Sequence, residues 1–286
     1  MMQGRGREST GLAAGISRRH VRAEFMAADF ELTFLGTGTS VGVPVIGCRC
    51  RVCTSPDPRN KRTRSSIHVR HGDVSLLVDS GPDLREQALR EDLTKVDAVL
   101  YTHSHVDHVV GFDELRAFCW HRDEPLPLHA TADCMDTLKT MFAWAFSAAN
   151  VYPGYIKPAP HVIGGPMTFG ALTVTPLPVE HARTETVGFL FEAEDVPSVA
   201  YIPDAKRVPE ESMALLERAQ VLIIDALRPL PHPTHLSTEE ALEVIQRAGV
   251  AQAWLTHLGH DNDHHELEAT LPQGVRVAYD GLRIRA

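Results

Sequence analysis

The segment His103-Ser104-His105-Val106-Asp107-His108 puts three imidazoles and a carboxylate within six residues. These are the usual ligands of divalent zinc, manganese and iron. From an extended turn, the alternating His103 and His105 can face one ion, while Asp107 and His108 can face a second. Scattered core or surface histidines rarely gather so tightly behind an apolar run. A second cluster, Cys48-Arg49-Cys50-Arg51-Val52-Cys53, offers three thiols at a spacing poor for disulfides and good for a metal. A tetrahedral zinc there needs one more ligand, and His260 is the best candidate, tying an N-terminal loop to the segment around His257. Cys119 and Cys134 have no such company and read as small buried apolar residues.

These side chains must be positioned by elements with a readable pattern. A strand is expected over 31–35, running into the Gly-rich turn Gly36-Thr37-Gly38-Thr39-Ser40. Residues 67–70 and 74–79 read as a hairpin. Residues 96–102 read as a strand, and 108–120 carry helical apolar spacing. Thr131 is expected to cap a helix running to about 146. Residues 150–166 hold four prolines and three glycines and read as a loop. Further strands are expected over 172–179, 187–191, 198–202, 221–225 and 251–255. Helices are expected near 210–218 and after Ser237, where Glu240 completes a capping box. A short helix and two strands close the chain. The pattern is mixed α/β in one domain over 30–286. Four strands, 96–102, 172–179, 198–202 and 251–255, are each followed within two residues by a His or Asp. In sandwiched sheets ligand sites gather at strand ends, so these four point to one shared site.

Composition bounds the reading. The chain has 286 residues with 43% hydrophobic and 23% charged content, as expected of a globular α/β protein. No apolar run approaches the roughly 20 residues needed to span a bilayer, so no membrane partner is expected. A net charge of −9 argues against general nucleic-acid binding. Five cysteines, three of them in the knuckle, fit a reducing cytoplasm better than a secreted disulfide framework. Residues 1–29 carry five arginines and no apolar targeting core; they read as a disordered tail or an overlong start before Met26.

The motif His-x-His-x-Asp-His behind a strand resembles the metallo-β-lactamase superfamily. That resemblance implies a four-layer αββα sandwich holding two metals. It implies His103, His105 and His181 on one metal and Asp107, His108 and His257 on the other, with Asp204 bridging. Asp79, in Leu77-Val78-Asp79-Ser80-Gly81, would orient the histidine loop without binding metal itself. The superfamily's redox branch replaces the second histidine with glutamate; His105 is retained here, which favours hydrolysis. A water between two divalent ions loses its proton near neutral pH and becomes the nucleophile, a metal-bridging hydroxide.

Gly36-Thr37-Gly38-Thr39-Ser40, Gly42-Val43-Pro44, the cysteine knuckle, Thr256-His257-Leu258-Gly259-His260 and Tyr279-Asp280-Gly281 together resemble the phosphoribosyl cyclic phosphodiesterases of the carbon–phosphorus lyase pathway. This resemblance implies manganese (or zinc) at the catalytic pair, zinc at the cysteine site, and a small phosphorylated substrate. In that branch a histidine before a helix assists the leaving oxygen, a role that would fall to His235, with His232 as an alternative. The catalytic residues would then be His235 and Asp107, the latter also a metal ligand. A second substrate phosphate would need a cationic grip, for which Arg183, Arg228, Arg62 and Arg64 are placed. A homodimer is compatible with this reading. Competing expectations are an RNA 3′-processing nuclease, a carbonyl-ester or thioester hydrolase, and a protein like pyrroloquinoline quinone biosynthesis protein B.

Overall fold

Alternation of side chains along each strand sorts residues to two faces, and in this chain both faces of each sheet are apolar. The computed structural model describes residues 30–285 apart from His121 and Asp195; the expected tail at 1–29 lies outside the described residues. The first sheet contains β1 (Phe30–Gly36), β2 (Ser66–His71), β3 (Val74–Val78), β4 (Ala98–Leu100), β5 (Leu126–Ala130) and β6 (Pro158–Val162). The second contains β7 (Met167–Phe169), β8 (Leu172–His181), β9 (Thr184–Ala193), β10 (Val196–Ile202), β11 (Val221–Asp225), β12 (Gln252–Thr256) and β13 (Val275–Val277). The last strand, β14 (Arg283–Arg285), returns to pair with β1, giving two seven-stranded sheets.

Leu32, Phe34, Leu76 and Val78 of the first sheet face Phe189, Phe191, Tyr201 and Ile223 of the second across a buried core. The opposite face of the first sheet, with Leu77, Val99 and Leu128, packs under α1 (Leu84–Arg90), α2 (Val106–Val109) with its following 3-10 turns, and α3 (Ala132–Met141). After a break at Phe142, a further turn, α4 (Ala143–Phe146), follows. The outer face of the second sheet, with Leu190, Ile202 and Leu255, is covered by α5 (Glu210–Leu216), α6 (Thr238–Ala248) and α7 (His264–Thr270). The architecture is therefore the four-layer αββα sandwich of the metallo-β-lactamase fold.

Helix α6 shows why local sequence suffices there. Ala241, Val244, Ile245 and Ala248 form one buried stripe at helical spacing. Ser237 and Glu240 close the expected capping box, and Gly249 at φ 67° supplies the left-handed stop.

Two expected elements are different in the structure. Residues 150–166 are not all loop, because 158–162 form β6 at the sheet edge, parallel to β5. Leu126 N–H donates to the Lys157 carbonyl and Ile163 N–H to that of Ala130, so the odd-numbered residues face β5. Pro158 and Pro160 point their missing donors to the open edge, where proline is tolerated. The helix expected over 108–120 is one α turn followed by 3-10 structure over 110–118. The carbonyl of His108 accepts from Ser80 N–H, and Gly111 N–H donates to the Ser80 carbonyl. Both groups are thereby withdrawn from an α-helical ladder. Gly111 is required, since a Cβ there would lie 2.0 Å from the Gly81 carbonyl oxygen.

Candidate metal centre

Strands β10, β11 and β12 run parallel, as do β3 and β4, and β8 runs parallel to β10 through the intervening β9. Their carboxyl ends therefore meet at one edge of the sandwich. Asp79 follows β3, the His103–His108 loop follows β4, and His181 ends β8. Asp204 follows β10, Asp225 ends β11 and His257 follows β12. Loops at that edge bring together seven side chains: His103, His105, Asp107, His108, His181, Asp204 and His257.

Their potential ligand atoms converge. His103, His105 and His181 form one group whose donor atoms lie within 4.8 Å of one another, and Asp107, His108 and His257 form another. Asp204 stands between them, with its carboxylate oxygens 3.2 Å from Nε2 of His108, 3.2 Å from Nε2 of His257 and 3.7 Å from Nε2 of His181. Nε2 of His103, His108 and His257 and Oδ2 of Asp204 are buried with no hydrogen-bond partner. Native proteins rarely leave buried polar atoms so. A ligand set of imidazole nitrogens and carboxylates with unengaged lone pairs fits divalent cations.

The far sides of the His103, His105, His108 and His181 rings are held. His108 Nδ1–H donates to Asp79 Oδ2 at 2.7 Å. The same carboxylate accepts from Thr102 N–H at 2.9 Å and from the Thr102 hydroxyl at 2.8 Å, and that hydroxyl oxygen lies 3.0 Å from His103 Nδ1. Asp79 thus steadies two rings of the loop from a backbone at φ 63°. His181 Nδ1–H donates to the Thr234 carbonyl at 2.7 Å, and Thr184 Oγ1 lies 3.2 Å from His105 Nε2. Burial lowers the basicity of His103 and, to about 4, of His181, so both stay neutral and ready to ligate. Burial pushes the same way at His108, but Asp204, Asp107 and Asp79 outweigh it and hold that ring well above its ordinary value.

His235 lies in the loop before α6, at the rim of this cluster. Its Nδ1–H donates to Asp225 Oδ2 at 2.8 Å, and the same oxygen accepts from Ala205 N–H at 3.0 Å. Asp225 Oδ1 is 3.8 Å from His257 Nδ1. Asp225 is fully buried and is not among the residues expected from the sequence, although its run Val-Leu-Ile-Ile-Asp repeats the apolar-strand-then-Asp signature of Asp79. Thr184 is likewise an addition; a threonine opening a strand carries no signal of its own. His232 Nδ1 lies 3.2 Å from the Thr234 hydroxyl oxygen, a contact within the loop.

The cysteine cluster forms a separate site. Nδ1 of His260 is 3.3, 3.6 and 3.5 Å from the sulfurs of Cys48, Cys50 and Cys53. Val45 N–H donates to the Cys53 sulfur and Cys53 N–H to that of Cys50; the latter bond brings the Cys50 thiol down to about 6, while burial pushes the Cys53 thiol up to about 11. Three sulfurs and one imidazole nitrogen around one point fit a tetrahedral zinc. Among the candidate anion-binding arginines, Arg62 is buried and donates to the Gly259 and Asn262 carbonyls, which corrects its expected place near substrate. Arg64 pairs with Asp83, and Arg228 donates to the Leu230 and Pro231 carbonyls.

With this fold and this edge cluster, the class is defined. Residues 75–258 match the model of the Beta-lactamase superfamily domain, and the chain belongs to the metallo-β-lactamase superfamily. It is similar to a solved diphosphatase of the PhnP family, with a TM-score of 0.82 and 36% identity, over 90% of this chain and 98% of that one. It is also similar to Zn2+-bound PqqB from Methylobacterium extorquens, with a TM-score of 0.71 and 25% identity, over 90% of this chain and 100% of that one. Among curated relatives, a Porphyromonas gingivalis octanoyltransferase is 37% identical over 87% of this chain, which spans 50% of that protein's length. The coenzyme PQQ synthesis protein B of Methylorubrum populi is 30% identical over 80% of each chain. The superfamily match and the diphosphatase neighbour support a metal-dependent hydrolase. No helix among the described residues is long and apolar enough to cross a membrane.

Proposed function

We propose that the chain is a phosphodiesterase with two catalytic metal ions, hydrolysing a small or cyclic phosphodiester, with a phosphoribosyl cyclic phosphate as one such substrate. The observation that carries this reading is the meeting of seven ligand-type side chains beside a histidine whose Nδ1 is tied to a buried carboxylate. His103, His105 and His181 would hold one ion, Asp107, His108 and His257 the other, and Asp204 would bridge them. Two divalent cations, manganese or zinc, supply a water acidified to near neutral pKa and neutralise charge gathering on the phosphoryl oxygens.

The chain's own groups do the rest. Asp79, Thr102 and the Thr234 carbonyl fix ring orientations so that the ligating nitrogens need no rearrangement. Asp225 engages Nδ1 of His235, leaving Nε2 as the nitrogen that can hand a proton to a departing oxygen. Asp107 would act as a ligand beside His108 and His257, whose Nε2 atoms lie 3.3 and 3.9 Å from its carboxylate. Cys48, Cys50, Cys53 and His260 would hold a structural zinc, joining the loop after β1 to the turn that carries His257. The reduced thiol set suits the cytoplasm.

The acidic net charge weighs against an RNA 3′-processing nuclease. The test is a screen of manganese-loaded protein against bis(p-nitrophenyl) phosphate, cyclic ribosyl phosphates, cyclic nucleotides, a thioester and a lactone. Hydrolysis of the diesters that is lost in His103→Ala supports the reading. Turnover of carbonyl substrates alone, or of none, overturns it.

A further inference from the structure

The ligand side chains divide into two pockets that differ in charge. His103, His105 and His181 are three imidazoles, whereas Asp107 brings a carboxylate to His108 and His257. Asp204 stands against both pockets but nearer the second. Its oxygens lie 3.2 Å from Nε2 of His108 and of His257, and 3.7 Å from that of His181.

What lies behind the rings deepens the difference. In the three-histidine pocket every ring faces a neutral oxygen: the Thr102 hydroxyl 3.0 Å from His103 Nδ1, the Thr184 hydroxyl 3.2 Å from His105 Nε2, and the Thr234 carbonyl 2.7 Å from His181 Nδ1. In the other pocket the rings face carboxylates. Asp79 Oδ2 accepts from His108 Nδ1–H at 2.7 Å, and Asp225 Oδ1 stands 3.8 Å from His257 Nδ1. Asp79 reaches His103 only at one remove, through the Thr102 hydroxyl. Both carboxylates are fully buried, where charge is little screened. A carboxylate behind an imidazole raises its strength as a donor more than a neutral oxygen does, because it stabilises the positive charge that a cation draws onto the ring. The Thr184 hydroxyl owes its place to hairpin register. His181 pairs with Thr184 across a two-residue turn, so one turn supplies a ligand of the three-histidine pocket and the support of another.

We propose that the two pockets fill in order: the Asp107–His108–His257 pocket takes its ion first, and the three-histidine pocket holds an exchangeable second ion whose occupancy sets the rate. The inference rests on the two-ion phosphodiesterase reading and makes that centre responsive to free divalent cation. Thr184 is a positioning residue for the weaker pocket alone. The test is calorimetric titration of manganese into the full chain, with zinc kept at the cysteine site, for wild type, Thr184→Val, Thr184→Ser and Asp79→Asn. The wild type is expected to bind two manganese ions with dissociation constants at least about tenfold apart. Thr184→Val keeps the branched shape and loses the hydroxyl. It is expected to weaken the looser step about tenfold or more and to leave the tighter one within about twofold, with Thr184→Ser close to wild type. Asp79→Asn is expected to shift mainly the tighter step, since His108 meets that carboxylate directly.

Hydrolysis of bis(p-nitrophenyl) phosphate, followed against manganese on the same samples, is expected to reach half its maximum at the looser constant. Two steps of equal affinity, a Thr184→Val variant whose looser step is unmoved or whose tighter step moves instead, or half-maximal hydrolysis at the tighter constant overturns the proposal and leaves the phosphodiesterase reading intact. If the diester is not hydrolysed, that reading fails, and the two binding steps still decide the order of filling. A single manganese ion per chain overturns both.

Discussion

Replacing Asp225 by Asn tests whether His235 delivers a proton to the leaving oxygen. The substitution is nearly isosteric, so the buried site keeps its volume. It removes a charge-assisted hydrogen bond, His235 Nδ1–H to Asp225 Oδ2 at 2.8 Å, and the restraint that leaves Nε2 for the substrate. Hydrogen bonds to charged groups contribute about 1.5–3 kcal/mol. If that energy is spent on the acid in the transition state, kcat falls about tenfold to 150-fold, inside the span of roughly 10²–10⁴ for a full general acid or just below it.

The size of the loss depends on the leaving group. An alkoxide needs the proton; p-nitrophenolate leaves without one. At saturating manganese, Asp225→Asn is expected to lose the full factor on an alkyl or cyclic ribosyl diester. On bis(p-nitrophenyl) phosphate the loss stays within about threefold. The assay is steady-state kinetics on both substrates, with metal content measured on the same samples because Asp225 also faces His257. Equal losses on the two leaving groups would refute the acid role of His235, and so would an undiminished rate on the alkyl diester.

Three further outcomes follow from the geometry. Asp79→Asn removes the carboxylate behind His108 and Thr102, and metal affinity measured by chelator competition is expected to fall about 10–100-fold; unaltered affinity would show that Asp79 does not support the loop. Gly111→Ala drives a Cβ to 2.0 Å from the Gly81 oxygen, so the loop must shift. A cost of at least about 3 kcal/mol lowers the melting temperature by roughly 6–12 °C, and an unshifted melt would contradict the close packing. Burial holds the His68 imidazole at about 4, below its ordinary 6.5. Between these values the unfolded chain takes up a proton that the folded chain does not. Stability is therefore lost as pH falls from 6.5 towards 4, by up to about 1.4 kcal/mol per pH unit from this group. His68→Gln is expected to flatten that slope in urea unfolding at about pH 5 and 7, and identical slopes in the two proteins would rule the contribution out.

The metal-type residues are legible in the sequence because the chemistry is concentrated. Four of the seven sit in one loop, and His181, Asp204 and His257 each follow an apolar run. The knuckle is legible for the same reason. Asp225 is not, since a single acid at a strand end gains meaning only when the fold brings His235 against it from ten residues away. Thr184 depends in the same way on a hairpin register. Among the elements, β6 is hidden by prolines whose harmlessness depends on which side of the strand is paired. The 3-10 stretch over 110–118 is hidden because its apolar spacing resembles an α-helix; only the long-range bonds from Ser80 break that ladder. Pattern and fold part company where tertiary partners override local preference.

The central claim is that one chain holds a two-ion hydrolytic centre apart from a cysteine-bound ion. Elemental analysis by mass spectrometry of metal-reconstituted, desalted wild type and His257→Ala measures it most directly. The account predicts three ions per chain in the wild type, one of them zinc retained by Cys48, Cys50, Cys53 and His260. It predicts a loss confined to the other two in the variant. Fewer than two ions beyond the cysteine-bound zinc in the wild type would contradict it.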